Sequence, residues 1–270
     1  MNLPERTSFA HAIRRIIIDE SYRAKVGHIG SALSIADLVT AVVAGPMAGE
    51  GEDRDRLVLS KGHAALALYA ALHLQGRLSE GQISTYCDDG TLLGVHPERE
   101  LEGVDFATGS LGQGLSLGAG AALAAKRQNS DRKVYVIMSD AELNEGSVWE
   151  AVMFAAQPQL DNLVLLIDLN GQQAMNYTEK VIDLGPVEDK FTAFGWDAQT
   201  VPGHDQQLLA GALERAAAAS GRPSVLVADT TFGYGVSFMH AVIDWHYLPL
   251  NDEQHASAIA QLEAAAPVSV

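Results

Sequence analysis

Short apolar runs rich in β-branched residues alternate along this chain with stretches that carry apolar residues at helical spacing. Such runs are typical of buried parallel strands, and the stretches between them are typical of covering helices. Strands are predicted over 56–59, 133–138, 162–167, 196–201 and 224–228. Helices are predicted over 5–26, 64–75, 79–86, 115–127, 148–156, 187–194, 206–219 and 251–265. This alternation predicts an α/β fold, doubly wound, with a mostly parallel sheet and helices on both faces.

Four segments interrupt the pattern, and one of them is a polar loop predicted over 171–185. Residues 27–31 (Gly-His-Ile-Gly-Ser) are expected to end the first helix, with the next helix starting near Ser34. Residues 87–109 are predicted to form a long loop, and loops of that length in compact domains usually serve a function. The chain is expected to be irregular from about residue 229 to its last helix. Because no repeat or low-complexity linker divides the chain, a single domain is expected over 1–270.

Two predicted strands each run into a polar residue at the carboxyl end, Asp140 after the first and Asn170 after the second. One helical stretch separates them, so the strands are expected to be neighbours, with both residues at the sheet edge where ligands bind. Mg²⁺ takes carboxylate and amide oxygens together with phosphates. The alternative is that Asp140 only caps a helix and Asn170 only forms a turn. The residues alone leave both interpretations open.

Four histidines lie in loops, at helix starts or beside glycines: His28, His63, His96 and His246. A rigid scaffold can direct such loop histidines into one cleft, so all four are functional candidates. The alternative is that they are surface histidines with no task. Their spacing matches no common zinc pattern. The glycines of 109–114 do not fit G-x-G-x-x-G, so a nicotinamide dehydrogenase is disfavoured.

The composition narrows the class of protein. The chain has 270 residues, of which 47% are hydrophobic, and a net charge of −16. The negative charge argues against nucleic acid or an anionic membrane as a partner. A single cysteine, Cys87, excludes an internal disulfide and favours a reducing compartment. With no apolar run long enough to span a bilayer and no signal-peptide pattern, a cytoplasmic protein is expected.

Six motifs, in order and in register, resemble the transketolase family, and more narrowly the diphosphate-binding part of a thiamine diphosphate enzyme of that type. The motifs are Gly27-His28-Ile29-Gly30-Ser31, Leu59-Ser60-Lys61-Gly62-His63-Ala64, Val95-His96-Pro97-Glu98, Thr108-Gly109-Ser110-Leu111-Gly112-Gln113-Gly114, Asp140-Ala141-Glu142-Leu143-Asn144-Glu145-Gly146 and Asp168-Leu169-Asn170. The resemblance implies a thiamine-diphosphate-binding fold.

The resemblance also implies roles for individual residues. Asp140, Asn170 and the backbone carbonyl of Gln172 would ligate Mg²⁺ or Ca²⁺. The following residues would lie at the thiamine diphosphate: His63, Gly109, Leu111, Ala141, Glu145 and His246. His28 and His96 would face the substrate, so that His28, His63, His96 and His246 form the catalytic set. Glu145 and Glu150 would belong to an acidic network linking paired active sites across a dimer interface.

The activity implied by the resemblance is transfer of a two-carbon ketol unit from a sugar-phosphate-like ketose to an aldose acceptor. Transketolases continue into a pyrimidine-binding and a C-terminal domain, which this sequence lacks. The chain is therefore expected to be the N-terminal subunit of a split transketolase, in a heterotetramer with a second subunit that carries those domains. The alternatives are a subunit of a 2-oxo acid dehydrogenase E1 or of a deoxyxylulose-phosphate synthase type enzyme, and a non-catalytic paralogue.

One departure from the family pattern concerns the residues around Asp140. The family usually has glycine where this chain has Ser139 and Ala141. A position that needs positive φ would cost a residue with a Cβ on the order of 1 kcal/mol. Either the backbone keeps negative φ here, or the affinity for the cofactor is reduced. We expect negative φ, because both side chains predicted to bind the metal are present.

Overall fold

The computed structural model describes residues 1–49 and 51–267. Its sheet has five strands in the order β1-β2-β3-β5-β4, and all neighbouring strands are parallel. The strands are β1 (Arg56–Leu59), β2 (Val134–Ser139), β3 (Leu163–Leu169), β4 (Asp197–Pro202) and β5 (Ser224–Asp229). The predicted α/β fold is confirmed, and every predicted strand is present.

The helices match the prediction only in part, since the helix predicted over 79–86 covers only Glu80–Ile83 and the short helix Thr178–Val181 is not predicted. They are α1 (Leu3–Ala24), α2 (Ile29–Ser34), α3 (Ala36–Val43), α4 (Ala65–Leu74), α5 (Glu80–Ile83), α6 (Gly114–Arg127), α7 (Gly146–Ala156), α8 (Thr178–Val181), α9 (Val187–Ala193), α10 (Gln206–Ala218) and α11 (Asp252–Ala264). Among the described residues, none of these helices is both long enough and apolar enough to cross a membrane.

Helices cover both faces of the sheet. On β2, Tyr135 and Ile137 belong to the core formed with α1, α3, α4 and α10. The alternate residues Val136 and Met138 belong to a second core, formed with α6, α7 and α9. The strand period of two thus divides β2 between two apolar layers, as expected for a strand buried on both faces.

The first motif differs from its prediction. A loop is predicted over 27–31, and this prediction is wrong for residues 29–31, because α2 begins at Ile29. The residue before it, His28, has φ 62°. Every residue of α2 is buried, so tertiary burial decides its structure and no amphipathic period marks it in the sequence. The helix start expected near Ser34 is confirmed by α3. Residues 87–109 contain no helix or strand, as predicted.

Candidate functional site

The carboxyl ends of four strands bring the predicted residues to one edge of the sheet. The chain leaves β1 into Lys61, β2 into Asp140, β3 into Asn170 and β5 into Thr230. Ser139 is paired in register with Asp168, so the ends of β2 and β3 are level. Since ligands of open α/β sheets bind at this edge, the site predicted from sequence lies where the fold favours one.

A single turn holds the side chains of Asp140 and Asn170. The N–H of Gly171 donates to Oδ2 of Asp140 at 2.8 Å, and the N–H of Gln172 donates to Oδ1 of Asn170 at 2.9 Å. Because successive peptide groups bind these oxygens, the carboxylate and the amide are neighbours, as predicted. Ligation of a metal by them stays a prediction.

Asp140 is only 3% exposed. Burial, followed by the negative charge of Asp168, raises the pKa of Asp140 to about 7. A divalent cation beside the carboxyl would favour its ionised form and lower that pKa. The electrostatics therefore suit a cation at this position.

The residues that flank Asp140 adopt ordinary conformations. Ser139 has φ −87° and ψ 158°, and Ala141 lies in a 3₁₀ turn over Asp140–Asn144. Neither is among the residues with positive φ. The expected negative φ is confirmed, so replacing the family's glycines introduces no backbone strain.

Three histidines gather above the end of β1. The ring centroids of His28 and His63 are 5.3 Å apart. The backbone N–H of His28 donates to the backbone carbonyl of His246 at 3.2 Å. Burial is the largest cause that lowers the pKa of each imidazole, and the Lys61 charge adds to it. For His246 the pKa falls to about 4. All three imidazoles are therefore neutral near pH 7.

The fourth histidine, His96, lies in the long loop and is exposed. Its ring lies beside Gly109, where an added Cβ would come within 3.1 Å of it. Leu111, two residues further along, is 39% exposed. The structure thus brings His96 to the backbone that is predicted to contact the cofactor.

The glycine-rich segment before α6 packs against two other motifs. A Cβ added to Gly114 would lie 2.3 Å from the Cβ of Ser60. A Cβ added to Gly112, which has φ +82°, would lie 2.5 Å from the Cβ of Glu145. The buried Glu142 carboxylate joins the same elements, since it accepts from the hydroxyl of Ser60 and from the N–H of Gly112 at 3.0 Å. Close packing therefore explains these glycines.

Two predicted acidic residues lie at the start of α7 and within it. Glu145 precedes α7 and Glu150 lies on it, and both are exposed. Their roles at the cofactor and in an acidic network stay predictions.

Polar atoms without partners identify where a bound group fits. Among the described residues, Oε1 and Nε2 of the buried Gln172 and Nδ1 of both His28 and His246 have no hydrogen-bond partner. A buried polar atom left unpaired costs about 1–3 kcal/mol. Gln172 belongs to the turn that binds Asp140 and Asn170, and the two imidazoles lie near Lys61, whose partner Asp168 accepts from Asn170. The residues present at this edge therefore fit a diphosphate with its cation.

Two buried residues at this edge, Lys61 and Asp168, have no role predicted from the sequence. Lys61 and Asp168 form an ion pair with Nζ and Oδ2 2.5 Å apart, and neither side chain is more than 1% exposed. Both stand inside motifs quoted above. The signal that could have identified Asp168 is an acidic residue placed within an otherwise apolar strand.

Comparison with known proteins agrees with this geometry. The chain is 39% identical over 260 residues to a subunit of the 6-deoxy-6-sulfo-D-fructose transketolase of Clostridium sp. (strain MSTE9), covering 94% of each. It is 38% identical over 254 residues to a subunit of the apulose-4-phosphate transketolase of Phocaeicola vulgatus, covering 92% of this chain and 90% of the relative.

A solved structure, the transketolase of Campylobacter jejuni, has a TM-score of 0.91 and 31% identity, and the match covers 97% of this chain but 43% of that one. This chain therefore spans less than half of that solved transketolase and nearly the full length of the two subunits. The family described as "Transketolase, thiamine diphosphate binding domain" matches residues 5–266. The chain belongs to that family and is a thiamine diphosphate-binding domain of transketolase type.

Proposed function

We propose that this chain is the diphosphate-binding subunit of a thiamine diphosphate-dependent transketolase. The reaction moves a two-carbon ketol unit from a ketose to an aldose acceptor. The observation that carries the proposal is that Asp140 and Asn170 share one sheet edge with His28, His63 and His246. Two relatives of nearly the same length, both named transketolase subunits, support it.

Three groups would hold the divalent cation, Mg²⁺ or Ca²⁺: the side-chain oxygens of Asp140 and Asn170 and the carbonyl of Gln172. Backbone groups of Gly109, Leu111 and Ala141 would bind the cofactor directly. Gly109 and Leu111 lie in the glycine-rich segment that packs against the turns following β1 and β2. His63 and His246 would lie at the diphosphate.

Bound thiamine diphosphate supplies the nucleophilic carbon with which carbon–carbon bonds are broken and formed. A neutral imidazole has one N–H donor and one free nitrogen. It can therefore accept a proton from a substrate hydroxyl and return it, or donate to a developing oxyanion. Burial and the Lys61 charge keep His28 and His63 in this form near pH 7. His28 and His96 would face the substrate.

A second subunit with the pyrimidine-binding and C-terminal domains would complete the site, in a heterotetramer with two copies of each chain. Support comes from coverage, since this chain matches 43% of the Campylobacter jejuni transketolase and at least 90% of the named subunits. The names of those subunits specify a sulfo sugar and a sugar phosphate. We therefore propose a ketose with an anionic terminal group as the substrate class.

The conformations of Ser139 and Ala141 weigh against a non-catalytic paralogue. That alternative rests on the loss of glycines beside Asp140, and neither residue adopts positive φ.

Calorimetric titration of the full chain with thiamine diphosphate, with and without Mg²⁺, tests the proposal. Metal-dependent binding is expected in the wild-type protein and is lost in Asp140→Ala, whose circular dichroism spectrum stays unchanged. Asp161→Ala is a matched control, because Asp161 lies before the amino end of β3 and pairs with Lys126. Wild-type affinity in Asp140→Ala would show that the assignment of the ligand is wrong.

A further inference from the structure

The buried Asp168 carboxylate is saturated with hydrogen bonds. Its Oδ1 accepts from the hydroxyls of Ser34 and Thr230, each at 2.6 Å. Its Oδ2 accepts from Lys61 Nζ at 2.5 Å and from Asn170 Nδ2 at 2.8 Å. A carboxylate offers about four acceptor positions, so Asp168 has none left for a cation. It is engaged entirely with neighbouring side chains.

The ion pair of Asp168 with Lys61 has no clear advantage for stability. Both residues are 0% exposed, and desolvating two charges costs about as much as their attraction returns. Well-packed apolar residues in their place would hold the fold equally well. The pair therefore calls for a role beyond holding strands together, and the contact with Asn170 supplies one.

An asparagine amide has two ends of nearly the same shape, but only the oxygen binds a cation. Asp168 accepts from the Nδ2 end, which leaves Oδ1 toward the turn where the N–H of Gln172 donates to it at 2.9 Å. The same turn binds the Asp140 carboxylate. Without the Asp168 charge, the ammonium of Lys61 would attract the oxygen of Asn170 and favour the reversed amide.

We propose that Asp168 is a positioning residue, which neutralises Lys61 and fixes the Asn170 amide with Oδ1 toward the predicted cation. This inference rests on the function proposed above, because it takes Asn170 as a ligand. The hydroxyls of Ser34 and Thr230 hold the carboxylate in place, so that α2, β3 and the turns after β1 and β5 all contribute.

Electron paramagnetic resonance of Mn²⁺, titrated into the full chain with thiamine diphosphate, measures the cation site without an activity assay. The informative pair is Asp168→Asn and the exchange variant Asp168→Asn/Asn170→Asp. A carboxylate at position 170 presents an oxygen in either orientation, so the exchange variant does not depend on positioning. Asp37→Asn is the matched control, since it breaks another buried ion pair, with Arg14, on α3.

Asp168→Asn is expected to weaken Mn²⁺ binding by roughly 10- to 100-fold, the usual effect of losing a partner of a metal ligand. The exchange variant is expected to restore at least the wild-type affinity, and Asp37→Asn to keep it despite a lower melting temperature. If Asp168→Asn does not fold, Lys61→Met/Asp168→Asn, which leaves no buried charge unpaired, replaces it with the same expectation.

Unchanged binding in Asp168→Asn overturns the positioning role, and so does an exchange variant that binds as weakly as Asp168→Asn. A purely structural ion pair predicts the second of these results, because both variants break it equally. A wild-type chain that binds no Mn²⁺ with thiamine diphosphate, either alone or mixed with the second subunit, contradicts the proposed function instead. The two failures are therefore distinguishable.

Discussion

The imidazole of His246 stacks on the phenyl ring of Phe232, with ring centroids 4.3 Å apart and planes inclined by 15°. The Phe232 ring also packs against Gly30, where an added Cβ would lie 2.1 Å from Cε1. The N–H of Gly233 also donates to the carbonyl of Gly30 at 3.0 Å. The missing Cβ of Gly30 thus leaves room for the Phe232 ring on which His246 stacks.

Gly30→Ala is expected to displace Phe232 and to weaken cofactor binding. Overpacking of this kind costs about 1–3 kcal/mol of unfolding free energy. Urea unfolding and calorimetric titration with thiamine diphosphate and Mg²⁺ measure the two effects. Gly120→Ala is the control, because a Cβ there meets open space on α6, and it should gain about 0.5–1 kcal/mol. Unchanged cofactor affinity in Gly30→Ala would contradict this account of His246.

His246 makes the stability of the metal-free protein depend on pH. Burial and the Lys61 charge lower its pKa from the ordinary 6.5 to about 4. Between these values the unfolded chain binds a proton that the folded chain does not, so stability falls as the pH drops below about 6.5. By about pH 5 the loss from this group is on the order of 2 kcal/mol.

Urea unfolding of the wild-type protein and of His246→Gln, at about pH 7.5 and about pH 5, measures that loss. The other buried groups titrate in both proteins, so the difference between them isolates His246. The wild-type protein should lose more stability on acidification than His246→Gln. An equal loss in the two proteins would show that the pKa of His246 is not lowered.

Ala141→Gly restores the usual residue of the family and is expected to bring no benefit. Because Ala141 already has negative φ, glycine only adds freedom to the unfolded chain, at a cost of about 0.5–1 kcal/mol. Thermal unfolding and cofactor titration test this expectation. Tighter binding of thiamine diphosphate in the glycine variant would mean that the cofactor requires a backbone conformation that alanine resists.

Large apolar side chains are exposed on α6 and α7, where Leu117 is 38%, Met153 51% and Phe154 48% exposed. If these helices form the contact between subunits in the proposed heterotetramer, Phe154→Lys should weaken that contact. Light scattering should then give a lower molecular mass for the variant assembly than for the wild-type assembly. The control is Leu208→Lys, on the distant α10, where Leu208 is 50% exposed. An unchanged mass in Phe154→Lys would place the contact between subunits elsewhere.

The sequence was sufficient to predict the sheet and the meeting of Asp140 with Asn170. Both follow from local signals, because apolar runs mark β2 and β3 and a polar residue stands at each carboxyl end. The six motifs point to the family, and the intact ligand pair predicts the negative φ at Ser139 and Ala141.

What local patterns could not show are contacts between residues far apart in the chain. Lys61 and Asp168 are 107 positions apart, and no spacing rule predicts their ion pair. The buried α2 has no polar face, so its start at Ile29 carried no periodic signal. The stacking of Phe232 on His246 likewise depends on how the irregular segment after β5 packs against Gly30.

The central claim is that this chain is one part of a transketolase whose other part is a second subunit. Its most direct test measures ketol transfer in three samples, each supplied with thiamine diphosphate and Mg²⁺. The samples are the purified chain, a pyrimidine-domain subunit sought in the neighbouring reading frame, and the mixture of the two. Replacing this chain with Asp140→Ala in the mixture controls for its contribution. Ketol transfer is expected only in the mixture that contains the wild-type chain. Transfer by this chain without a partner, or no transfer in the wild-type mixture, would contradict the central claim.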